Sequence, residues 1–273
     1  MKTYNRFFAF GCSFTSWHWP TWADIIGKTF IEDNYFNFGL CASGNEFAFH
    51  KLTEAHARFN ITKDDLVIIC WTNFAREDRY FNGEWQTAGN IFTQNVYPQD
   101  WVKQWFDLRG ALIKTSSVIA GATHLLDNIG CEYLFTSMMP MTQIDEYDTL
   151  FTGSDFQDVF LTYNRYYQNI KPSMVAELYG KNAWQNPNPI CVKWSENDPQ
   201  AWEDNHPSPL QHLSYVNEII NPGLSHPINI SDTITWVHDW ETKVRTPPYF
   251  DCDKHGWSLY YRTKKYHSDR GML

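Results

Sequence analysis

Residues able to perform acyl transfer stand in a telling order along this chain. Ser13 closes the run Phe10-Gly11-Cys12-Ser13, which follows a short apolar stretch beginning at Arg6. That stretch reads as a buried strand opening into a turn. A serine at the C-terminal tip of the first strand of an α/β fold projects into the crevice where such folds bind ligands. Its hydroxyl is the candidate nucleophile. Acyl transfer to serine also needs a base, an orienter for the base, and donors for the developing oxyanion. His206, within Asp204-Asn205-His206-Pro207-Ser208, is the candidate base, because an imidazole titrates near neutral pH. Asn73 follows a buried run and would turn its amide into the same crevice. Gly44 would let a substrate oxygen approach the chain with no Cβ in the way. Taken singly, each residue also has a plain structural reading: Ser13 as a strand end, Asn73 as a turn residue, Ser208 as the cap of a helix starting at Pro209. Only their combination carries a catalytic meaning.

Ser13, Ser43-Gly44-Asn45, Trp71-Thr72-Asn73 and Asp204-Asn205-His206-Pro207 together resemble the four blocks of the SGNH (GDSL-like) hydrolase superfamily. The likeness spans roughly residues 5 to 220. It implies a flavodoxin-like three-layer α/β/α sandwich with a parallel sheet of about five strands, and a cofactor-independent serine ester hydrolase. It also implies an oxyanion hole made by the backbone N–H of Ser13, the backbone N–H of Gly44 and the Asn73 side chain. Gly39 competes for the second block, but Ser43-Gly44-Asn45 fits better. The chain departs from the family in three places. Gly11-Cys12-Ser13 replaces Gly-Asp-Ser, at a position that is not the nucleophile. The acid that orients the histidine usually precedes it by three residues, where Glu203 stands; Asp204, two before His206, is favoured, with Glu203 the alternative. Trp71 stands where glycine is common and is expected to narrow the room beside the oxyanion. Short acyl esters are therefore the expected substrates, including O-acetyl groups on carbohydrate, with Trp17, Trp19, Tyr80, Trp85 and Trp202 near the mouth. Two rivals remain: an acyltransferase using the same site, and a catalytically silent SGNH-like protein for binding or assembly.

Bulk composition narrows the classes. The 273 residues suffice for one large α/β domain with an insertion or appendage. The 43% hydrophobic and 19% charged content is that of a globular protein, whereas the 17% aromatic content, with 13 Trp, is high. That excess serves either an aromatic-packed core or an exposed platform for planar ligands such as sugars. A net charge of −9 argues against nucleic acid as a partner. The six cysteines (Cys12, Cys41, Cys70, Cys131, Cys191, Cys252) lack metal-site spacing and read as reduced and mostly structural; Cys12 as nucleophile is a minor alternative. His206 and His212 with Asp204, His238-Asp239, and Asp251 to His255 contain ligand types without a recognisable metal pattern. No Gly-rich phosphate loop occurs. No metal and no cofactor are expected. Lys2 and Arg6 before Phe7 to Phe10 imitate a signal peptide, but the apolar core is too short and no cleavage site follows. No apolar run approaches the ~20 residues of a membrane span, so a soluble, cytoplasmic protein with no membrane partner is expected.

The elements that must position these residues alternate between strand and helix. Strands are expected at 6–11, 35–40, 66–71, 131–137 and 190–194. Helices are expected at 17–30, 44–59, 101–129 (stopped by Gly130), 160–167 and 209–220. Residues 76–100 read as an irregular insertion over the site. The catalytic domain is expected to span 1–221, and 222–273 to form an aromatic-rich extension packed on the core, with short alternating runs at 233–237 and 258–261. Such alternation implies a parallel sheet covered by helices on both faces.

Overall fold

In a computed structural model of the chain, the described residues are 4–92, 97–141, 156–180, 190–192 and 202–246. Runs of apolar residues become the central strands. β1 (Phe7–Gly11) and β3 (Leu66–Trp71) are buried at every position, as expected of strands covered on both faces. With β2 (Tyr35–Gly39) and β6 (Glu132–Ser137) they form a wholly parallel sheet in the order β2-β1-β3-β6. In this order the connection after β1 runs to one side, toward β2, and the connection after β3 runs to the other, toward β6. A crevice therefore opens at the C-terminal ends of β1 and β3.

Side-chain alternation sends Phe7, Ala9, Leu66 and Ile68 to one face. There they pack with α1 (Trp22–Gly27), α6 (Met174–Tyr179), α7 (Pro209–Tyr215) and, past the short α8 (Asn221–Gly223), α9 (Ile234–Arg245). Phe8, Phe10, Val67, Ile69 and Trp71 face the other way, onto α2 (Asn45–Phe59), α4 (Leu108–Ile129) and α5 (Gln157–Tyr167). The protein is thus α/β, with a parallel sheet flanked by helices on both sides. Much of the aromatic excess fills this core: Trp19, Trp22, Trp71 and five phenylalanines of the sheet strands are among the largest fully buried side chains.

Several boundaries differ from the expected ones, each for a local reason. The first helix starts at Trp22, behind a capping box of Thr21 and Asp24, and leaves Pro20 outside. The long 101–129 segment is two helices. α3 (Gln99–Trp105) ends at an extended Phe106, and Asp107 then caps α4 by accepting from Gly110 N–H at 2.6 Å. Within 76–100, expected as an irregular insertion, residues 76–90 are a regular hairpin: β4 (Arg76–Phe81) and β5 (Glu84–Asn90) pair antiparallel. Asn82 and Gly83, both at positive φ (53° and 82°), make its turn.

Among the described residues the parallel sheet has four strands. At its β6 edge, pairing shrinks to one bridge between Phe135 and Ile170 plus the Lys171 N–H donated to Phe135 O at 2.8 Å. Pro172 has no N–H with which to continue. β7 (Ile190–Val192), expected as a sheet strand, instead pairs antiparallel with β8 (Trp202–Asp204). The run 233–237 belongs to the 3-10 turn Ser231–Thr233 and to α9 rather than a strand, and Val237 and Val244 of α9 are fully buried. The run 258–261 lies outside the described residues.

Candidate active site

Four chain segments converge at the C-terminal edge of the sheet. The first is the turn after β1. Gly11 sits at φ +151°, and a Cβ there would stand 2.3 Å from Thr15 Oγ1 and 2.8 Å from Cys70 O. Glycine is thus required by both conformation and space. The chain then folds back on itself, with Thr15 and Ser16 donating N–H to Cys12 O at 2.9 and 3.2 Å. Ser13 lies inside this turn, 5% exposed. Among the described residues neither its hydroxyl nor its N–H has a hydrogen-bond partner.

The fourth segment brings the base. β8 ends at Asp204, whose Oδ1 lies 2.7 Å from His206 Nδ1 and also accepts the His206 backbone N–H at 2.7 Å. Asp204 is buried. A proton on Nδ1 shared with this carboxylate leaves the Nε2 lone pair as the basic site. Trp17 stacks on the imidazole with ring centres 3.6 Å apart, and Phe14, the residue after Ser13, tilts against it at 5.3 Å. Trp19 Nε1 donates to Pro207 O at 2.8 Å, and Ser208 caps α7 with Gln211 in a capping box. The ring is therefore held beside the Ser13 turn, but no hydrogen bond joins Ser13 Oγ to His206. Contacts between nucleophile and base often close only in the substrate complex. Of Glu203 the described structure includes the backbone, paired with Cys191.

The oxyanion donors are arranged unequally. Asn73 accepts the Ala75 N–H at 2.6 Å through Oδ1, so its Nδ2 is the end left to donate, and it has no acceptor among the described residues. Asn45 ties the start of α2 to the end of β3: its Nδ2 donates to Thr72 O at 2.9 Å and its Oδ1 accepts from Thr72 N–H at 2.8 Å. The Gly44 N–H is already engaged. It donates to both oxygens of Asp78, at 2.8 and 2.9 Å, and Phe47 N–H adds a third bond at 3.0 Å. Asp78 thus occupies the positive end of α2. Burial pushes its pKa up to about 6, while the Phe47 and Gly44 N–H groups and Arg76 pull it down.

Asp78 and its neighbour Arg76 come from the hairpin, and residue-type reasoning along the chain did not single them out. The hairpin is docked on the loop after β2 through Gly89 N–H to Ala42 O and Thr87 Oγ1 to Cys41 O, both 2.9 Å. The charged run Arg76-Glu77-Asp78-Arg79, three residues past Asn73, was the available signal.

Other expectations change with the geometry. Trp71 does not narrow the crevice: its indole is fully buried in the α2/α4 core, edge-on to Phe135 at 5.3 Å. The reason is strand parity, which sends it to the same face as Val67 and Ile69. His212 is fully buried on α7, which packs on α9, and neither ring nitrogen has a hydrogen-bond partner among the described residues. Burial, aided by His206 nearby, pushes its pKa down to about 3. Cys12, Cys41, Cys70 and Cys131 are free thiols, and burial pushes Cys41 up to about 11. Among the described residues no group of three or more His, Cys, Asp or Glu is placed to hold a metal, and no helix is long and apolar enough to cross a membrane. The side chain of Trp202 and the Asp251 to His255 cluster lie outside the described residues. No protein-family model matches this chain, and no curated protein matches it either.

Proposed function

We propose that this chain is a serine ester hydrolase of the SGNH type. The observation that carries the reading is the buried Asp204 bonded to His206 Nδ1 at 2.7 Å, beside a turn that presents Ser13 at the end of β1. In this mechanism Ser13 Oγ attacks the ester carbonyl carbon as its proton passes to His206 Nε2. The Ser13 N–H and Asn73 Nδ2 receive the oxyanion, and the imidazolium, held by Asp204, protonates the departing alkoxide. Water then attacks the acyl-enzyme with His206 again as base, and the acid is released. The Gly44 N–H joins the donors only when Asp78 withdraws from it. The near-complete burial of Ser13 favours short acyl groups. Exposed Tyr80, on the same hairpin as Asp78, offers a ring for an ester carried on carbohydrate.

A non-catalytic scaffold is the second reading. It is favoured by the Gly44 N–H spent on Asp78 and by the absence of a Ser13–His206 hydrogen bond among the described residues. Hydrolysis of p-nitrophenyl acetate and butyrate by the wild type, Ser13→Ala and His206→Ala separates the two. Turnover abolished in both folded variants supports the hydrolase; equal rates in all three, or none above background, support the scaffold.

A further inference from the structure

Arg76 differs from the other cations around the hairpin in what its charge meets. Arg79 pairs with Glu77 at 3.1 Å and lies over Trp101, 4.6 Å from the ring centre. Lys114 bridges Glu46 at 3.0 Å and Glu77 at 3.1 Å. Arg76 has no carboxylate within 4.0 Å among the described residues. Its Nη1 donates to the Ser43 carbonyl at 2.7 Å and its Nη2 to Met138 Sδ at 3.6 Å, both neutral acceptors. Its Nε–H is buried and has no partner among the described residues. Asp78 acts on this partly buried guanidinium only at a distance, with no ion pair within 4.0 Å, and the planar fork of arginine donors matches an oxyanion.

The nearby acids are already committed. Asp78 turns both oxygens to the start of α2, and Asp204 holds His206. The position of Arg76 ties it to the reacting serine. Cys12, which precedes Ser13, meets the same Met138 sulfur at 3.7 Å, and Ser43, which Arg76 holds, donates its hydroxyl to Gly11 O at 3.0 Å. A Cβ on Gly44 would lie 3.0 Å from Arg76 Cβ. The guanidinium therefore stands at the same sheet edge as the candidate nucleophile and oxyanion donors.

We infer that Arg76 is a specificity residue that binds an oxyanion group of the substrate, a carboxylate or a phosphate, next to the ester carbonyl. The substrate class this assigns rests on the ester-hydrolase reading of Ser13; the anion site itself does not. An uncharged acetyl ester would leave the guanidinium unpaired, whereas an ester that carries an acidic group would neutralise it.

The test separates the two claims. Succinate and inorganic phosphate are titrated calorimetrically, at low ionic strength, into full-length Ser13→Ala and into Ser13→Ala/Arg76→Met. Saturable one-to-one binding to the first, weakened tenfold or more in the second, is expected, and the tighter of the two anions identifies the group. No saturable binding, or equal binding in both proteins, overturns the anion site. Should the methionine variant fail to fold, the Arg76 Nε–H resonance, assigned by its loss in Arg76→Lys, is followed during the same titrations; no shift overturns the proposal. In parallel, the wild-type kcat/KM for mono-p-nitrophenyl succinate is compared with that for p-nitrophenyl butyrate. A preference of at least tenfold for the anionic ester, reduced at least tenfold by Arg76→Met, is expected. Anion binding without hydrolysis of either ester removes the hydrolase reading and leaves the site. Hydrolysis of both without preference removes the inference and leaves the hydrolase.

Discussion

The two halves of the candidate site are built to different degrees of readiness. On the acid–base side, a short antiparallel pair delivers Asp204, the next turn delivers His206, and Trp17 and a capped helix hold the ring. Every group there meets the partner its role requires, apart from the serine itself. On the oxyanion side Asn73 Nδ2 is free to donate, but the Gly44 N–H is held by a carboxylate from an inserted hairpin. An anion at a helix N-terminus is favourable, and a developing oxyanion would compete for the same N–H. The contrast suggests where control of this site resides: in the hairpin rather than in the dyad.

The largest expected effect tests the finished half. Asp204→Asn should keep the fold yet lower kcat by about 10⁴, because the imidazole loses the carboxylate that selects its tautomer. A loss under tenfold, measured with p-nitrophenyl acetate, would transfer the orienting role to Glu203. On the other side, Asn73→Ala should cost about 10²–10³ in kcat, the usual toll for one oxyanion donor.

Asp78→Ala sharpens the comparison most directly. It frees the Gly44 N–H and should raise kcat up to about tenfold, while thermal denaturation shows a less stable protein, by about 1–2 kcal/mol, for loss of the α2 cap. A fall in kcat would remove Gly44 from the oxyanion hole. The pH dependence has a definite sign. Because burial raises the Asp78 pKa from 3.8 to about 6, the folded state binds the extra proton between those values. The stability from this group is present below pH 3.8 and lost as pH rises through about 6. The alanine variant should lack that slope in a series of melting temperatures.

The smallest effect is expected at His212. Its pKa falls from 6.5 to about 3, so the unfolded chain binds the extra proton in that window. The stability from this group is complete above pH 6.5 and lost as pH drops toward 3. His212→Leu should melt within a few degrees of the wild type at pH 7.5 and resist acid better at pH 4.5. An unchanged difference between the two pH values would mean that His212 is already compensated in the folded state.

The parts of the molecule that were legible in the sequence are those governed by local physics. Phe7 to Gly11 and Leu66 to Trp71 are continuous apolar runs of strand length, as expected of strands covered on both faces. Gly130 at φ 73° ends α4, and Ser208-Pro209 opens α7, through backbone geometry and capping that need no distant partner. The hairpin carried the Asn82-Gly83 turn signal too, but its strands hold charged and aromatic residues in place of an apolar alternation, which hid them from a hydrophobic-pattern reading.

What only the tertiary structure decided is which groups meet. The sequence by itself determined that a serine, an asparagine and a histidine would each follow an element end, and left the acid open between Asp204 and Glu203. Pairing of β8 with β7 and the turn that follows put Asp204 on His206. Strand parity buried Trp71 away from the crevice. Docking of the hairpin on the loop after β2 placed Asp78 against Gly44, across 34 residues, and set Arg76 at the sheet edge without a carboxylate partner among the described residues. Such encounters depend on register and crossover direction summed over the whole sheet, and no local stretch of chain contains that sum.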